Sequence, residues 1–277
     1  MAGFHVCRLH VGCVSMDDRD DRDDRDPYFF VPGWPVLYED NHLLALYKPS
    51  GLLVQGDQTG DISLLDLAKI WIKERYGKPG QVFLAMVHRL DRPVAGVILF
   101  CRTSKAAARI SAQFRARSVK KNYLAVLEGV LETSGVLVHD MERIKGASSR
   151  ITAGMTNESR EARLSFRVLE TSGSNTMVSI DLETGRHHQI RAQFAHIGHP
   201  VMGDLRYGAS RPLPEKQIAL FARSLTILHP ITGKRISLEC PLPSGWPWQG
   251  TVDKSVSPVW DWQALSSFYR RLYTSRR

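Results

Sequence analysis

In the segment His88-Arg89-Leu90-Asp91-Arg92, a single carboxylate stands between two guanidinium groups. Cationic neighbours favour the charged form of a carboxylate, so Asp91 is expected to stay ionised at neutral pH. An ionised and fixed carboxylate suits nucleophilic or basic work. A surface cluster of ion pairs has the same composition and no catalytic consequence, so the spacing by itself leaves both readings open. The flanks say how the group is carried. Apolar runs at 82–87 and 96–100 bracket it, which reads as strand, loop and strand with the carboxylate displayed on the loop.

The other reactive residue types give less. Cys7, Cys13, Cys101 and Cys240 include no CxxC pair, so no zinc set is expected. Cys101 and Cys240 sit in apolar runs and read as buried free thiols, which fits a reducing cytoplasm. His187 and His188 are adjacent and would not share a helix face. His196 and His199 fit no zinc spacing either, and no metal is expected. The sequence carries no phosphate loop and no dinucleotide fingerprint. No apolar run approaches the length of a membrane span, and no membrane partner is expected.

Charge points to the partner. The 277 residues carry a formal +9, and 43% are hydrophobic, enough for a sizeable core. Residues 17–26 read DDRDDRDDRD, seven Asp and three Arg, so the rest of the chain carries +13. A tract without apolar residues cannot form a core, and residues 1–30 are expected to be a disordered tail. Basic charge of this size suggests an anionic partner, with nucleic acid the first candidate. Lys105, Arg109, Arg115, Arg117, Lys120 and Lys121 concentrate it, either as phosphate contacts or as a solvated helix face.

The elements that would hold these groups follow from periodicity. Residues 36–38 and 43–47 flank Asp40-Asn41 as a hairpin. Ser63 caps an amphipathic helix to about Tyr76, closed by Gly77-Lys78-Pro79-Gly80. Ser104 can cap a second helix to about Arg117, with Ala107, Ile110, Ala112 and Phe114 facing the core. Strand patterns follow at 123–130, 135–139, 163–169, 177–181, 218–228 and 235–238, with a helix at 189–197 closed by Gly198. Strands outnumber helices without strict alternation. The expected fold is α+β, with a mixed, mainly antiparallel central sheet and flanking helices. The expected units are a tail over 1–30, a catalytic domain over 31–250, and a helical extension over 251–277 packed on it.

His88-Arg89-Leu90-Asp91-Arg92 and the run after it resemble the catalytic-aspartate motif of the RluA-like RNA pseudouridine synthases. Three more segments match in the expected order. Residues 39–51 (EDNHLLALYKPSG) resemble the family's opening hairpin, and Lys120-Lys121-Asn122-Tyr123-Leu124-Ala125 its tyrosine motif. Thr184-Gly185-Arg186-His187-His188-Gln189-Ile190-Arg191, with Gly198-His199-Pro200 and Gly203-Asp204, resembles its arginine motif. The match runs over about 35–243, and chance rarely orders four motifs. Relatives often carry Thr-Ser where this chain has Val94-Ala95, which removes two hydroxyls near the site.

The resemblance implies one sheet with a central catalytic cleft and an isomerase that needs no cofactor. Uridine would be cut from C1′ at N1, turned, and rejoined through C5. Asp91 would either attack covalently or take the C2′ proton to give a glycal, and the sequence leaves both routes open. By the same resemblance Arg191 pairs with Asp91, Tyr123 stacks on the uracil and could take the C5 proton, and Leu220 lines the apolar wall beneath the base. Arg89, Arg92, Lys121, Arg186 and His188 are expected substrate contacts, and His88 is expected to shape the loop or meet a phosphate. The implied partner is a stem-loop of ribosomal or transfer RNA, bound by a monomer in the cytoplasm. With about thirty residues before the fold, substrate choice would rest on the catalytic domain. Two rival readings remain: a non-catalytic RNA-binding module on the same fold, and a glycoside hydrolase with Glu183 as its second carboxylate.

Overall fold

The computed structural model describes residues 36–144, 148–242 and 246–248. The acidic tract and the expected C-terminal helix lie outside the described residues. Within them, eleven strands form one sheet flanked by three α-helices.

The sheet opens with the expected hairpin, β1 (Val36–Glu39) and β2 (Leu43–Lys48). Asp40 closes the turn by accepting the N–H groups of His42 and Leu43, both at 2.7 Å. β2 and β4 (Ala95–Cys101) are buried along their whole length, as a central strand covered on both faces must be. The expected strand at 82–87 shrinks to β3 (Ala85–Met86), which pairs with the far end of β4. The remaining strands are β5 (Lys120–Glu128), β6 (Gly135–Arg143), β7 (Ser149–Ile151), β8 (Arg160–Ser172), β9 (Asn175–Leu182), β10 (Leu220–Leu228) and β11 (Arg235–Glu239). The short β7 was not anticipated.

Helix α1 (Leu64–Arg75) starts as expected. Ser63 Oγ accepts the Asp66 N–H at 3.3 Å, and Asp66 returns the bond to the Ser63 N–H at 3.1 Å. Helix α2 (Ser104–Arg115) is capped one residue earlier than expected, by Thr103, whose Oγ1 accepts the Ala106 N–H. It buries Ala106 and Ile110. Ala112 is exposed, because two residues past Ile110 lies on the opposite side of a helix. Helix α3 (Gln189–His196) is the expected third.

Strand order runs β1-β2-β4-β10-β5-β9-β8-β6-β7, with β11 on β10. All these pairs are antiparallel except β4 with β10. That parallel seam requires a glycine. Gly96 has φ +125°, and a methyl there would stand 2.2 Å from Ala222 O. Being parallel, β4 and β10 begin at the same end of the sheet. The loop entering β4 carries Asp91, β10 begins at Leu220, and Tyr123 lies on β5 opposite Ala222. β9 ends beside the start of β5, so the 183–188 loop crosses this same end before α3.

Candidate active site

A cavity of about 640 Å³ opens at that end of the sheet. Its walls include Asp91, Tyr123, Arg191, His88, Arg89, Lys121, Arg186, His188 and Leu220, so nine of the ten site residues expected from sequence are brought together. Arg92 is not among them. It turns to the other side of its loop, where its guanidinium donates to Gly51 O and pairs with Asp61, both at 2.9 Å. Neighbours along an extended loop point in opposite directions, so alternation in sequence did not mean enclosure in space.

The Asp91 loop is held by its own main chain. Gly51 N–H donates to Arg92 O at 2.8 Å, and Ser50 Oγ donates to Pro93 O at 2.8 Å. Lys48, fully buried at the end of β2, donates to Pro49 O, Leu52 O and Arg92 O at 2.9, 2.7 and 3.1 Å. Burial pushes its ammonium down to about 7, against the favourable charge of Asp91. A buried cation shared by three carbonyls satisfies groups that a tight loop would otherwise leave unpaired. His88 accepts the Leu99 N–H through Nε2 at 2.9 Å and stacks on Phe114. Burial, reinforced by the Lys121 charge, pushes it down to about 3, so it is neutral and shapes the loop.

The cation facing Asp91 is Arg191, whose Nη1 donates to Asp91 Oδ2 at 3.2 Å. Its fork is spent mainly on Asp204. Nε donates to Oδ2 at 2.6 Å and Nη2 to Oδ1 at 2.8 Å. Burial opposes the charge of Arg191, but Asp204 and Asp91 outweigh it and hold the guanidinium above its ordinary value. Asp204 and Tyr207 are the site residues that sequence reasoning missed. Arg191 lies over the Tyr207 ring at 5.0 Å. The Tyr207 hydroxyl also accepts the Ser149 N–H at 2.9 Å and meets His188 Nδ1 at 3.0 Å.

The turn before α3 is held by side chains. Gln189 Oε1 accepts from Thr184 Oγ1 and the Arg186 N–H, while its Nε2 donates to Arg163 O and Gln193 Oε1. His188 then adopts φ +55°, a left-handed conformation costly for a residue with a Cβ. That twist stacks its ring on His187 with centroids 3.8 Å apart; both residues precede α3, so they share a turn and not a helix face. His188 Nε2 lies 3.4 Å from Asp91 Oδ2. Burial drives His188 to about 3, overcoming the opposing pull of Asp91.

The remaining walls are cationic and apolar. Lys121 donates to Thr184 O at 3.1 Å, and burial, then Arg117, brings it down to about 8. Arg186 donates to Glu161 O at 2.9 Å. Arg89, Arg115, Arg117 and Arg143 are exposed at the rim. Tyr123 and Leu220 supply the apolar wall. Burial and the Asp91 charge both raise the Tyr123 hydroxyl, so it stays a phenol. Glu183 is occupied by Arg163 at 2.9 Å. Such a cavity can admit one flat base, hold its phosphates by the rim and set one oriented carboxylate against it.

A mixed sheet whose cleft sets Asp91 against Arg191 under a cationic rim fits the class of enzymes that act on an anionic substrate. The comparisons make the class definite. A family model for RNA pseudouridylate synthase matches residues 42–196. The ribosomal large subunit pseudouridine synthase D of Pseudomonas aeruginosa is 33% identical over 77% of this chain and 69% of its own length. Synthase C of Escherichia coli is 32% identical over 76% and 67%. The human RNA pseudouridylate synthase domain containing 1 has the same fold, with a TM-score of 0.63 at 21% identity over 90% of this chain and 98% of its own. The chain belongs to the RNA pseudouridylate synthase family, of RluA type, and is an isomerase of that kind. It aligns with about two thirds of the length of its curated relatives. No helix among the described residues is long and apolar enough to cross a membrane.

Proposed function

We propose that this chain converts specific uridines of structured RNA, ribosomal or transfer, to pseudouridine with Asp91 as the catalytic carboxylate. The observation that carries the reading is the setting of Asp91: inside the cavity, 3.2 Å from Arg191, on a loop fixed by its own carbonyls. Relatives named for the ribosomal large subunit favour ribosomal RNA among the candidates. The isomerisation is redox-neutral and balances without a cofactor. The carboxylate either bonds to the nucleoside or takes the C2′ proton. Arg191 orients it in both routes. Tyr123 stacks on the uracil, and its retained phenol proton favours stacking over service as a standing base. Leu220 supports the base from below. The target must leave its stack, at a cost of a few kcal/mol that is smallest in a loop, and rim contacts from Arg89, Lys121 and Arg186 offset it through the phosphates. The chain acts as a monomer in the cytoplasm on this reading.

The test is to map pseudouridines in RNA from cells with and without the gene, then to restore either the native chain or Asp91→Asn. A position that is lost with the gene should return with the native chain only. In vitro, Asp91→Asn should fold and bind RNA with no turnover, and native binding should weaken steeply with salt. Turnover by folded Asp91→Asn would overturn the assignment of the carboxylate. Binding that is indifferent to salt would overturn the phosphate contacts.

A further inference from the structure

We propose that His188 is the residue that recognises ribose: its Nε2 accepts a hydrogen bond from the 2′-hydroxyl of the target nucleotide, and so favours uridine over its deoxy counterpart. The proposal rests on the reading of Asp91 as the carboxylate that reacts at the sugar.

The bonds around Tyr207 fix the tautomer of His188. A phenol offers one donor and two acceptor lone pairs. The Tyr207 hydroxyl accepts the Ser149 N–H at 2.9 Å and donates to Ser149 O at 3.2 Å. Ser149 lies on β7, the last strand in the sheet order, and Tyr207 serves both of its main-chain groups as a further strand would. The hydroxyl proton is then spent and one lone pair is left. His188 Nδ1, 3.0 Å away, meets that lone pair and must carry the hydrogen. In a neutral imidazole the other nitrogen is then an acceptor. Burial holds His188 at about 3, so the ring is neutral and Nε2 keeps its lone pair at neutral pH.

That lone pair stands beside the reacting group. Nε2 is 3.4 Å from Asp91 Oδ2, beyond the roughly 2.7–3.2 Å of an N–H···O bond. Two acceptors side by side in the cavity wall want a donor between them, and Arg191 is already bonded to Asp204 and Asp91. The sugar supplies one. Either route brings the Asp91 carboxyl to about 3–3.5 Å from C1′ or C2′. The 2′-oxygen is one bond from C2′ and two from C1′, so in both routes it lies beside the carboxyl and within reach of Nε2. Its hydroxyl is the donor that deoxyribose lacks, and the feature by which a protein tells RNA from DNA at one nucleotide. The ring cannot swing away from this place. His187 stacks on it at 3.8 Å and is itself engaged at Nδ1 by Ser149 Oγ at 3.1 Å, while Tyr207 meets it edge-on. The left-handed backbone at φ +55° is the strained setting that aims it.

The experiment uses the full chain and an RNA fragment holding the mapped target, made with either uridine or 2′-deoxyuridine at that one position. His188→Ala should lower kcat/KM on the uridine RNA by roughly ten- to a hundredfold, and on the deoxy RNA by far less. The two sugars differ in intrinsic reactivity, but that difference enters native and variant chains alike and cancels in the comparison. His188→Gln, whose amide oxygen can reach the place of Nε2, should keep part of the preference. Tyr207→Phe, which releases the tautomer, should lose part of it. Thermal unfolding confirms that each variant folds. The affinities of both RNAs for the Asp91→Asn chain, with and without His188→Ala, give the same comparison without turnover. An equal loss on both RNAs for His188→Ala, in rate and in affinity, makes His188 structural and overturns the proposal. A preference untouched by Tyr207→Phe overturns the lock on the tautomer. Turnover of neither RNA by the native chain would instead count against the reading of Asp91, with the affinities still deciding the contact.

Discussion

The two walls of the cleft are immobilised by different means. On the β2–β4 side the loop that carries Asp91 is held through its own carbonyls, by the Lys48 ammonium, the Gly51 N–H and Ser50. On the α3 side the turn that carries Arg191 and the histidine pair is held by side chains: Thr184, Gln189, Gln193, Asp204 and Tyr207. The difference suits the tasks. A carboxylate that must react needs a fixed Cα and a free carboxyl group, and main-chain anchoring supplies both. A guanidinium that must only orient and stabilise can be gripped along its own fork. Each side should then fail in its own way when its support is removed.

The largest effect is expected at the point where the walls meet. Arg191→Lys keeps a charge but cannot serve Asp204 and Asp91 together. Turnover should fall on the order of a hundredfold, the usual scale for misplacing a catalytic group by an ångström, with little change in RNA affinity. A variant losing only affinity would make Arg191 a phosphate contact and break the comparison.

Lys48→Met should come next. It removes the Lys48 donor from Pro49 O and Leu52 O, while Arg92 O keeps the Gly51 N–H, at about 1–3 kcal/mol for each buried group that stays unpaired. Thermal stability and turnover should fall together, because the Asp91 loop and the fold share this anchor. Full turnover in a folded Lys48→Met chain would mean that the main chain does not fix the carboxylate.

Gln189→Leu probes the opposite wall. It removes a side chain with four hydrogen-bond partners around the turn before α3. Stability should drop by about 1–3 kcal/mol. Turnover should fall further than that loss explains, since the left-handed His188 depends on the turn. Equal losses of turnover and folded fraction would make the turn purely structural.

The smallest effect is in pH dependence. His88 and His188 sit at about 3 when folded, against 6.5 ordinarily. Below pH 6.5 the unfolded chain takes up protons that the native chain refuses until near pH 3, so stability should fall progressively as pH drops through that window. Above pH 6.5 these groups are neutral in both states and the stability is complete. His88→Gln can still accept the Leu99 N–H but does not titrate. Its midpoint should change less between pH 7 and pH 5 than that of the native chain. An identical change would mean that His88 does not contribute to the slope.

Sequence carried the Asp91 loop and β4 after it, because a strand buried on both faces is apolar throughout; the apolar run before the loop forms strand only at Ala85–Met86. The hairpin at Asp40 and the cap at Ser63 were readable for the same reason: both are local bonds among neighbours. Tertiary partners were not readable. Asp204 stands 13 positions from Arg191, and nothing local marks it as the main holder of that guanidinium. The resemblance places Gly203-Asp204 in the same motif as Arg191 but assigns it no partner. Arg92 misled because adjacency along the chain was taken for adjacency in space. The stacking of the histidine pair was not readable, because it depends on a left-handed His188 in the turn before the helix begins. Lys48 read as part of a motif, but its three carbonyl partners exist only once the loops have closed.

The placement of β10 has a consequence for how the molecule comes into being. β4 and β5 follow each other closely in the chain yet do not pair; β10, made nearly a hundred residues later, lies between them. On a ribosome the Asp91 loop and Tyr123 emerge early and wait, on two separate pieces of sheet with unpaired edges, until residues 220–228 arrive. The last-made central strand joins them, so the cleft does not exist in any shorter nascent chain. Such late, long-range pairing slows folding and leaves strand edges open to the wrong neighbours. A ribosome-bound chain arrested before residue 220 should therefore hold its aspartate, tyrosine and arginine in full and have no active site.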